Sequence, residues 1–268
     1  MTLKVAICGL GAVGMPVARW LDAGVDGLSL TAVSARDVKR AETRVSDFSN
    51  PPPVLALSEL PSVADIVVEG APPAVFAELC EATLRAGKIF MPLSITSLLP
   101  RMDLIDLAKQ HNTRIIVPTG AIVGLDAVRA AAYGEIYSVV MKTRKPPKSL
   151  RDAKFVVEQG YDLDSLKEPM MLYSGTVAEA ASMFPANVNI AVALAFAGIG
   201  PEKTLYEIWA DPGVDRNSHT VAVDADSTRF EISIAGVPTV ETPGTGKLTP
   251  LSVMATLEGL ISPFRVGS

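Results

Sequence analysis

Cysteine and histidine are scarce in this chain, at two residues each among 268. Cys8 and Cys80 stand far apart without metal-ligand neighbours. That excludes a disulfide framework and leaves reduced core thiols, as in a cytoplasmic protein. No metal site is expected either. Positive charge is not in excess, and a net charge of −5 speaks against a broad nucleic-acid surface. The densest basic run, Lys142-Thr143-Arg144-Lys145-Pro146-Pro147-Lys148, is short and offset by Asp152 and Glu158. It reads first as a solvated strand end, with an anion site as the other reading. Long apolar runs are missing too, since Ile190 to Ile199 is about half of what a bilayer requires. Membrane association is therefore not expected. Met1 runs almost directly into a strand pattern, so no leader is expected.

What is present is an alternation of strand and helix patterns. Leu3 to Cys8 is an apolar run ending in a glycine turn, as a buried parallel strand would. Met15 to Ala23 shows helical spacing, and Ser29 to Val33 and Asp65 to Glu69 read as further strands. Pro73 to Ala86 fits a helix with proline in its first turn and Gly87 just beyond it. A strand over Lys88 to Leu93, a helix over Leu98 to Gln110 and a strand over Arg114 to Val117 continue the series. This order implies an α/β fold whose N-terminal domain is a Rossmann-type parallel sheet.

The pattern changes after Pro118. Strands are expected at Tyr137 to Met141, Thr204 to Trp209, Thr220 to Val223 and Arg229 to Ile234, with helices at Thr176 to Met183 and Asn187 to Phe196. They indicate a second, α+β domain with a largely antiparallel sheet. Leu248 to Leu260 is again helical and could return to the first domain. The expected division is 1–120 plus 245–268 for dinucleotide binding, and 121–244 for substrate and dimerisation. The exposed face of an open sheet needs covering, which points to a homodimer.

The turn Gly9-Leu10-Gly11-Ala12-Val13-Gly14 carries the first functional signal. It follows the first strand and opens the first helix, as a dinucleotide fingerprint requires. Gly9 permits the tight turn, Gly11 lets backbone approach a pyrophosphate, and Gly14 lets the helix pack close to the sheet. With Ala12 and Val13 they form the expected phosphate cradle at a helix N-terminus. The second strand lacks a terminal carboxylate. Val33 is followed by Ser34-Ala35-Arg36-Asp37, and a serine with an arginine suits a 2′-phosphate. NADP is therefore expected at least as readily as NAD. Asp37 could cap the next helix or bind the ribose. In Glu69-Gly70-Ala71-Pro72-Pro73, Ala71 is placed beside the nicotinamide half of the cofactor, with plain strand-to-helix punctuation as the other reading.

His111 reads as a surface helix cap, whereas His219 stands at the mouth of a strand and could be either catalytic or structural. In Phe184-Pro185-Ala186-Asn187-Val188-Asn189, Asn187 fits a helix N-cap, and Asn189 falls in the first turn of a nearly apolar helix.

Four stretches occur here in one order: Val117 to Asp126, Thr143 to Pro147, Phe184 to Asn189 and Asp215 to His219. Together they resemble the L-aspartate dehydrogenase family, over nearly the whole chain. The resemblance implies NAD(P)-dependent oxidation of L-aspartate to iminoaspartate, which hydrolyses to oxaloacetate and ammonia. It implies His219 as the active-site residue, with Ala121 and Asn189 lining the nicotinamide site. Thr119, Asn187, Arg144 and Lys145 are candidate ligands for a substrate with two carboxylates. The segment Thr242-Pro243-Gly244-Thr245 departs from the family's Asn-Pro-Lys-Thr pattern, which puts contacts there in doubt. The direction of reaction stays open between aspartate synthesis and supply of iminoaspartate to NAD biosynthesis. A dehydrogenase of another small amino or keto acid, or a non-catalytic NAD(P)-binding redox sensor, remain alternatives.

Overall fold

The structure, a computed structural model, describes residues 2–184, 188–239 and 245–267. Its contacts divide the chain into two units, Met1–Gly120 with Thr249–Val266, and Ala121–Leu248 with Gly267–Ser268.

The first unit is built on four parallel strands, β1 (Leu3–Cys8), β2 (Leu28–Ser34), β3 (Ile66–Glu69) and β4 (Ile89–Pro92), in the order β2-β1-β3-β4. Helices α1 (Gly14–Asp22), α2 (Val38–Val45), the short α3 (Leu60–Val63), α4 (Phe76–Arg85) and α5 (Asp103–Gln110) fill the connections. Val5, Ala6 and Ile7 of β1 and Ile66, Val67 and Val68 of β3 are fully buried. Burial of every successive residue is what a parallel sheet covered on both faces requires. The strand order reverses between β1 and β3. In sheets of this kind ligands bind outside the carboxyl ends of the strands at such a point.

Two expectations for this unit are corrected. The run at Arg114 to Val117 forms no strand. It makes one bridge, Ile115 to Phe90, through bonds of 3.1 and 2.9 Å, and Pro118 then removes the next donor. The helices expected at Pro73 and Leu98 each open with 3-10 turns, Pro73–Val75 and Ile95–Arg101, before regular helix begins.

The second unit holds α6 (Leu125–Ala131), β5 (Ile136–Lys145), α7 (Lys154–Glu158), β6 (Met170–Thr176), α8 (Val177–Met183), α9 (Asn189–Ala197), β7 (Leu205–Ala210), β8 (Ser218–Ala225) and β9 (Arg229–Ala235). The sheet order is β6-β7-β5-β8-β9, and only the β5–β7 pair is parallel. A parallel neighbour needs a long crossover, here supplied by α7 through α9. Strand β6 escaped the sequence reading because Ser174 and Gly175 break its alternation, and it lies at the sheet edge. Helix α8 starts with a reciprocal cap, Glu179 N–H donating to Thr176 Oγ1 at 3.2 Å and Thr176 N–H to Glu179 Oε2 at 3.0 Å.

Alternation along β5 and β8 buries one face. Val139, Met141, Thr143 and Lys145 face it from β5, and His219, Val221, Val223 and Ala225 from β8. Gly198 ends α9 against this face, where an added Cβ would stand 3.0 Å from Val128 and 3.6 Å from Val139.

The last helix, α10 (Leu248–Glu258), sends Val253 and Leu257 into the same apolar cluster as Val5, Ile7, Ile66 and Val68. Residues from both ends of the sequence thus share the core of the first unit.

Candidate active site

In the first unit the glycines of the turn differ in what they do. Gly9 has φ +95° and donates its N–H to the Ser34 carbonyl at 2.8 Å, tying β1 to β2. A Cβ on Gly9 would collide with the Gly70 carbonyl, and one on Gly14 with the Gly9 carbonyl. These two glycines are required by the protein itself. A Cβ on Gly11 would meet nothing within 4 Å. That open space beside an uncapped helix end fits a phosphate-bearing group. Val13, the N-cap of α1, makes no side-chain cap bond, and the first turn carries no acidic residue. The helix's positive end is thus left unneutralised. Ala12 and Val13 are half-buried beside it.

Two further residues organise this edge and had no motif to announce them. Arg44, from the last turn of α2, donates to the Leu10 carbonyl in the middle of the glycine turn. Glu69, fully buried at the end of β3, accepts from Ala71 N–H at 2.8 Å, Ser94 N–H at 3.2 Å and Ser94 Oγ at 3.1 Å. Burial pushes its carboxyl above the ordinary range, against the pull of these donors. Ala71 therefore has its N–H committed to Glu69, and only its remaining surface can face a ligand. Ser34 is buried at the end of β2 and Arg36 is exposed two residues on. Asp37 caps α2, accepting from Arg40 N–H at 3.0 Å. Thr119 is exposed, and Gly120 N–H donates to Ser252 Oγ at 3.0 Å.

The second unit gathers a buried polar group on its sheet. Thr143 and His219 lie opposite one another across β5 and β8, with Thr143 Oγ1 3.0 Å from His219 Nδ1. Which atom donates depends on the imidazole tautomer. The Tyr206 phenol, from β7, is hydrogen-bonded to Thr143 in turn. His219 is the second residue of β8, at the start of the strand, which begins two residues earlier than the apolar pattern suggests. Its relative exposure is 5% and that of Lys145 is 6%. Burial, and then the Lys145 charge, lower the His219 pKa to about 3, so the imidazole is neutral at physiological pH. Burial lowers Lys145 to about 8.

Arg144 is not brought to this group. It points to the opposite face, where it pairs with Asp211 at 2.8 Å and lies 5.4 Å from the Trp209 ring centroid. Ala121 is half-buried at the start of the second unit. Asn189 is the first residue of α9, half-buried, and Val188 precedes it as the N-cap. Asn187 and the Thr242 to Gly244 part of the departure lie outside the described residues. His111 caps the end of α5. Among the described residues, no helix is long and apolar enough to cross a membrane, and no group of His, Cys, Asp or Glu could hold a metal ion.

A doubly wound parallel sheet with an open glycine turn, followed by a mixed-sheet unit, defines the class as two-unit chains with a dinucleotide-binding fold. Comparison with known proteins narrows the class. Residues 126–260 match the family model described as aspartate dehydrogenase, C-terminal, and residues 9–118 match the homoserine dehydrogenase NAD binding domain. The L-aspartate dehydrogenase of Bradyrhizobium diazoefficiens is 47% identical over 99% of this chain and 94% of its own length. L-aspartate dehydrogenase 3 of Bordetella bronchiseptica is 47% identical over 99% and 98%. A crystal structure of aspartate dehydrogenase from Thermotoga maritima covers 100% of both chains with a TM-score of 0.77 at 26% identity. The chain belongs to the L-aspartate dehydrogenase family.

Proposed function

We propose that this chain catalyses the NAD(P)-dependent oxidation of L-aspartate to iminoaspartate, which water converts to oxaloacetate and ammonia. The observation that carries the reading is the 47% identity, over nearly all of both chains, to L-aspartate dehydrogenases of two organisms. A nicotinamide cofactor supplies the hydride acceptor when bound. The work left to the protein is orientation and the handling of protons.

In this reading Gly9, Gly11, Ala12, Val13 and Gly14 cradle the pyrophosphate, with the bare N-terminus of α1 facing it. Ser34 and Arg36 meet the adenosine ribose, and their chemistry favours a 2′-phosphate, hence NADP at least as readily as NAD. Ala71, Ala121 and Asn189 serve the nicotinamide end. Neutral His219 hydrogen-bonds the substrate or the water that attacks the imine, steadied by Thr143. Lys145 and Thr119 face the substrate in this reading, joined by Asn187. The free thiols of Cys8 and Cys80 suit a cytoplasmic protein. A homodimer would cover the face of the second sheet that carries Lys142, Arg144 and Trp209.

The test is direct. The protein is mixed with L-aspartate and each cofactor at alkaline pH, and absorbance of the reduced nicotinamide is followed. Turnover with aspartate above other small amino acids is expected. Cofactor binding without reduction, across an amino-acid panel, would replace the reading with a redox sensor. Light scattering reads the dimer, and cell fractionation the compartment.

A further inference from the structure

We propose that Lys145 is the base that takes the proton from the substrate's α-ammonium group, while His219 acts only as a neutral hydrogen-bonding partner. The inference rests on the aspartate dehydrogenase reading and assigns its proton chemistry to a different residue from the histidine the family resemblance implies.

The geometry is that of one strand face. Thr143 and Lys145 are two residues apart on β5, so their side chains leave the sheet on the same side. Thr143 contacts His219 across the β5–β8 pair. Lys145 is the last residue of β5, one position beyond the final β8 pairing, Arg144 with Ser218. It is therefore buried at the end of the ladder and next in line after the Thr143–His219 pair. Its carbonyl accepts Asp211 N–H at 2.9 Å, which fixes the backbone from which the side chain springs.

Charged and titratable groups of the described residues lie on the elements packed beside it. From β8 there is His219, and from β7 there is Tyr206, whose phenol burial pushes up to about 12. Asp211, just past β7, is engaged elsewhere by Arg144 at 2.8 Å and Gly213 N–H at 2.8 Å. Helix α9 carries no titratable residue. Glu179 of α8 is held by Thr176 and Tyr173.

Hydride loss from Cα needs the nitrogen lone pair free to form the C=N bond. The α-ammonium must first lose a proton, and that proton has to rest on a named atom. His219 is a poor acceptor, because burial and the nearby Lys145 charge both oppose a second proton on its ring. Lys145 is suited to the task. An amine that burial has brought down to about 8 exchanges protons near working pH, where general bases are most effective. The balance is simple: one N–H bond of the substrate ammonium breaks, one N–H bond forms at Lys145 Nζ, and no electron leaves the pair.

The alternative role for Lys145 is a fixed cation that holds a substrate carboxylate. Lys145→Arg separates the two, since arginine keeps the charge but cannot give up its proton. Initial rates of aspartate oxidation are measured from pH 6 to 10 for the wild-type protein, Lys145→Arg and Lys145→Met, with NADPH fluorescence titration as the check on folding. A base role predicts that kcat falls about 100-fold or more in both variants while KM in Lys145→Arg stays within a few-fold. It also predicts a wild-type kcat/KM limb near pH 8 that both variants lose. Retention of kcat by Lys145→Arg, or a limb near pH 8 that survives in either variant, overturns the proposal. Absence of wild-type turnover with aspartate is a separate result, and strikes the functional reading instead.

Discussion

Thr143 Oγ1 sits 3.0 Å from His219 Nδ1, and the two residues face each other directly across neighbouring antiparallel strands. The register of β5 on β8 therefore sets the position of the imidazole, and a hydroxyl from one strand orients the ring of the other. Both groups are buried, so each depends on the other for its hydrogen bond within the folded protein.

Removing that hydroxyl is expected to slow turnover without abolishing it. Thr143→Val keeps the shape but leaves His219 and Tyr206 each short of one hydrogen bond, at a cost of about 1–3 kcal/mol. A drop in kcat of about tenfold follows if the ring is mispositioned. Thr143→Ser restores the oxygen and should recover most of the rate, while His219→Ala should lose turnover and keep cofactor affinity. An active His219→Ala variant would end the assignment of that histidine.

The glycine turn offers a paired comparison. Gly9→Ala must clash with the Gly70 carbonyl and adopt φ near +95°. A loss of at least about 2 kcal/mol in urea unfolding is expected. Gly11→Ala has open space around it and should unfold at the wild-type denaturant concentration. Its defect should appear in cofactor affinity alone, measured by fluorescence titration.

Stability should depend on pH through the two buried bases. His219 is lowered from 6.5 to about 3 and Lys145 from 10.5 to about 8, so the unfolded chain holds each proton more tightly. Each of the two then adds stability as pH rises through its own window. The buried Cys8 and Cys80 thiols, pushed up to about 12, take stability away above about pH 9, so the Lys145 part is read as a difference between wild type and variant. The neutral His219 contribution is present in full above pH 6.5 and is lost as pH falls toward 3. Burial of charged Lys145 disfavours folding below pH 8 and is relieved by pH 10.5. Lys145→Met should flatten the upper slope and gain up to about 3 kcal/mol at pH 7. An unchanged slope between pH 8 and 10.5 would contradict the burial of that charge.

Cofactor choice is testable at Arg36, which is exposed and makes no ion pair among the described residues. Arg36→Glu should raise the NADPH dissociation constant about tenfold or more, the scale of one charge-assisted hydrogen bond. NADH binding should change little. Equal weakening of both cofactors would show that Arg36 does not read the 2′ position.

Local rules alone settled a good part of this protein. The apolar run Val5 to Cys8, followed by Gly9-Leu10-Gly11-Ala12-Val13-Gly14, reads as a covered parallel strand entering a helix, and it appears as β1 and α1. The family likewise was legible, because its stretches are contiguous in the chain. What the sequence could not supply was pairing between distant strands. Nothing local says that Thr143 lies opposite His219, that Arg144 turns to the other face while Lys145 turns inward, or that Arg44 reaches the Leu10 carbonyl. Nor does a motif mark Glu69, whose role depends on Ser94 from the next strand's end. The basic run at 142–148 looked like a solvated strand end. Tertiary structure divided it, since alternation sends every second side chain into a face that only the folded sheet buries. Burial, and with it the acid–base character of His219 and Lys145, is a property of the assembled sheet and of no segment by itself.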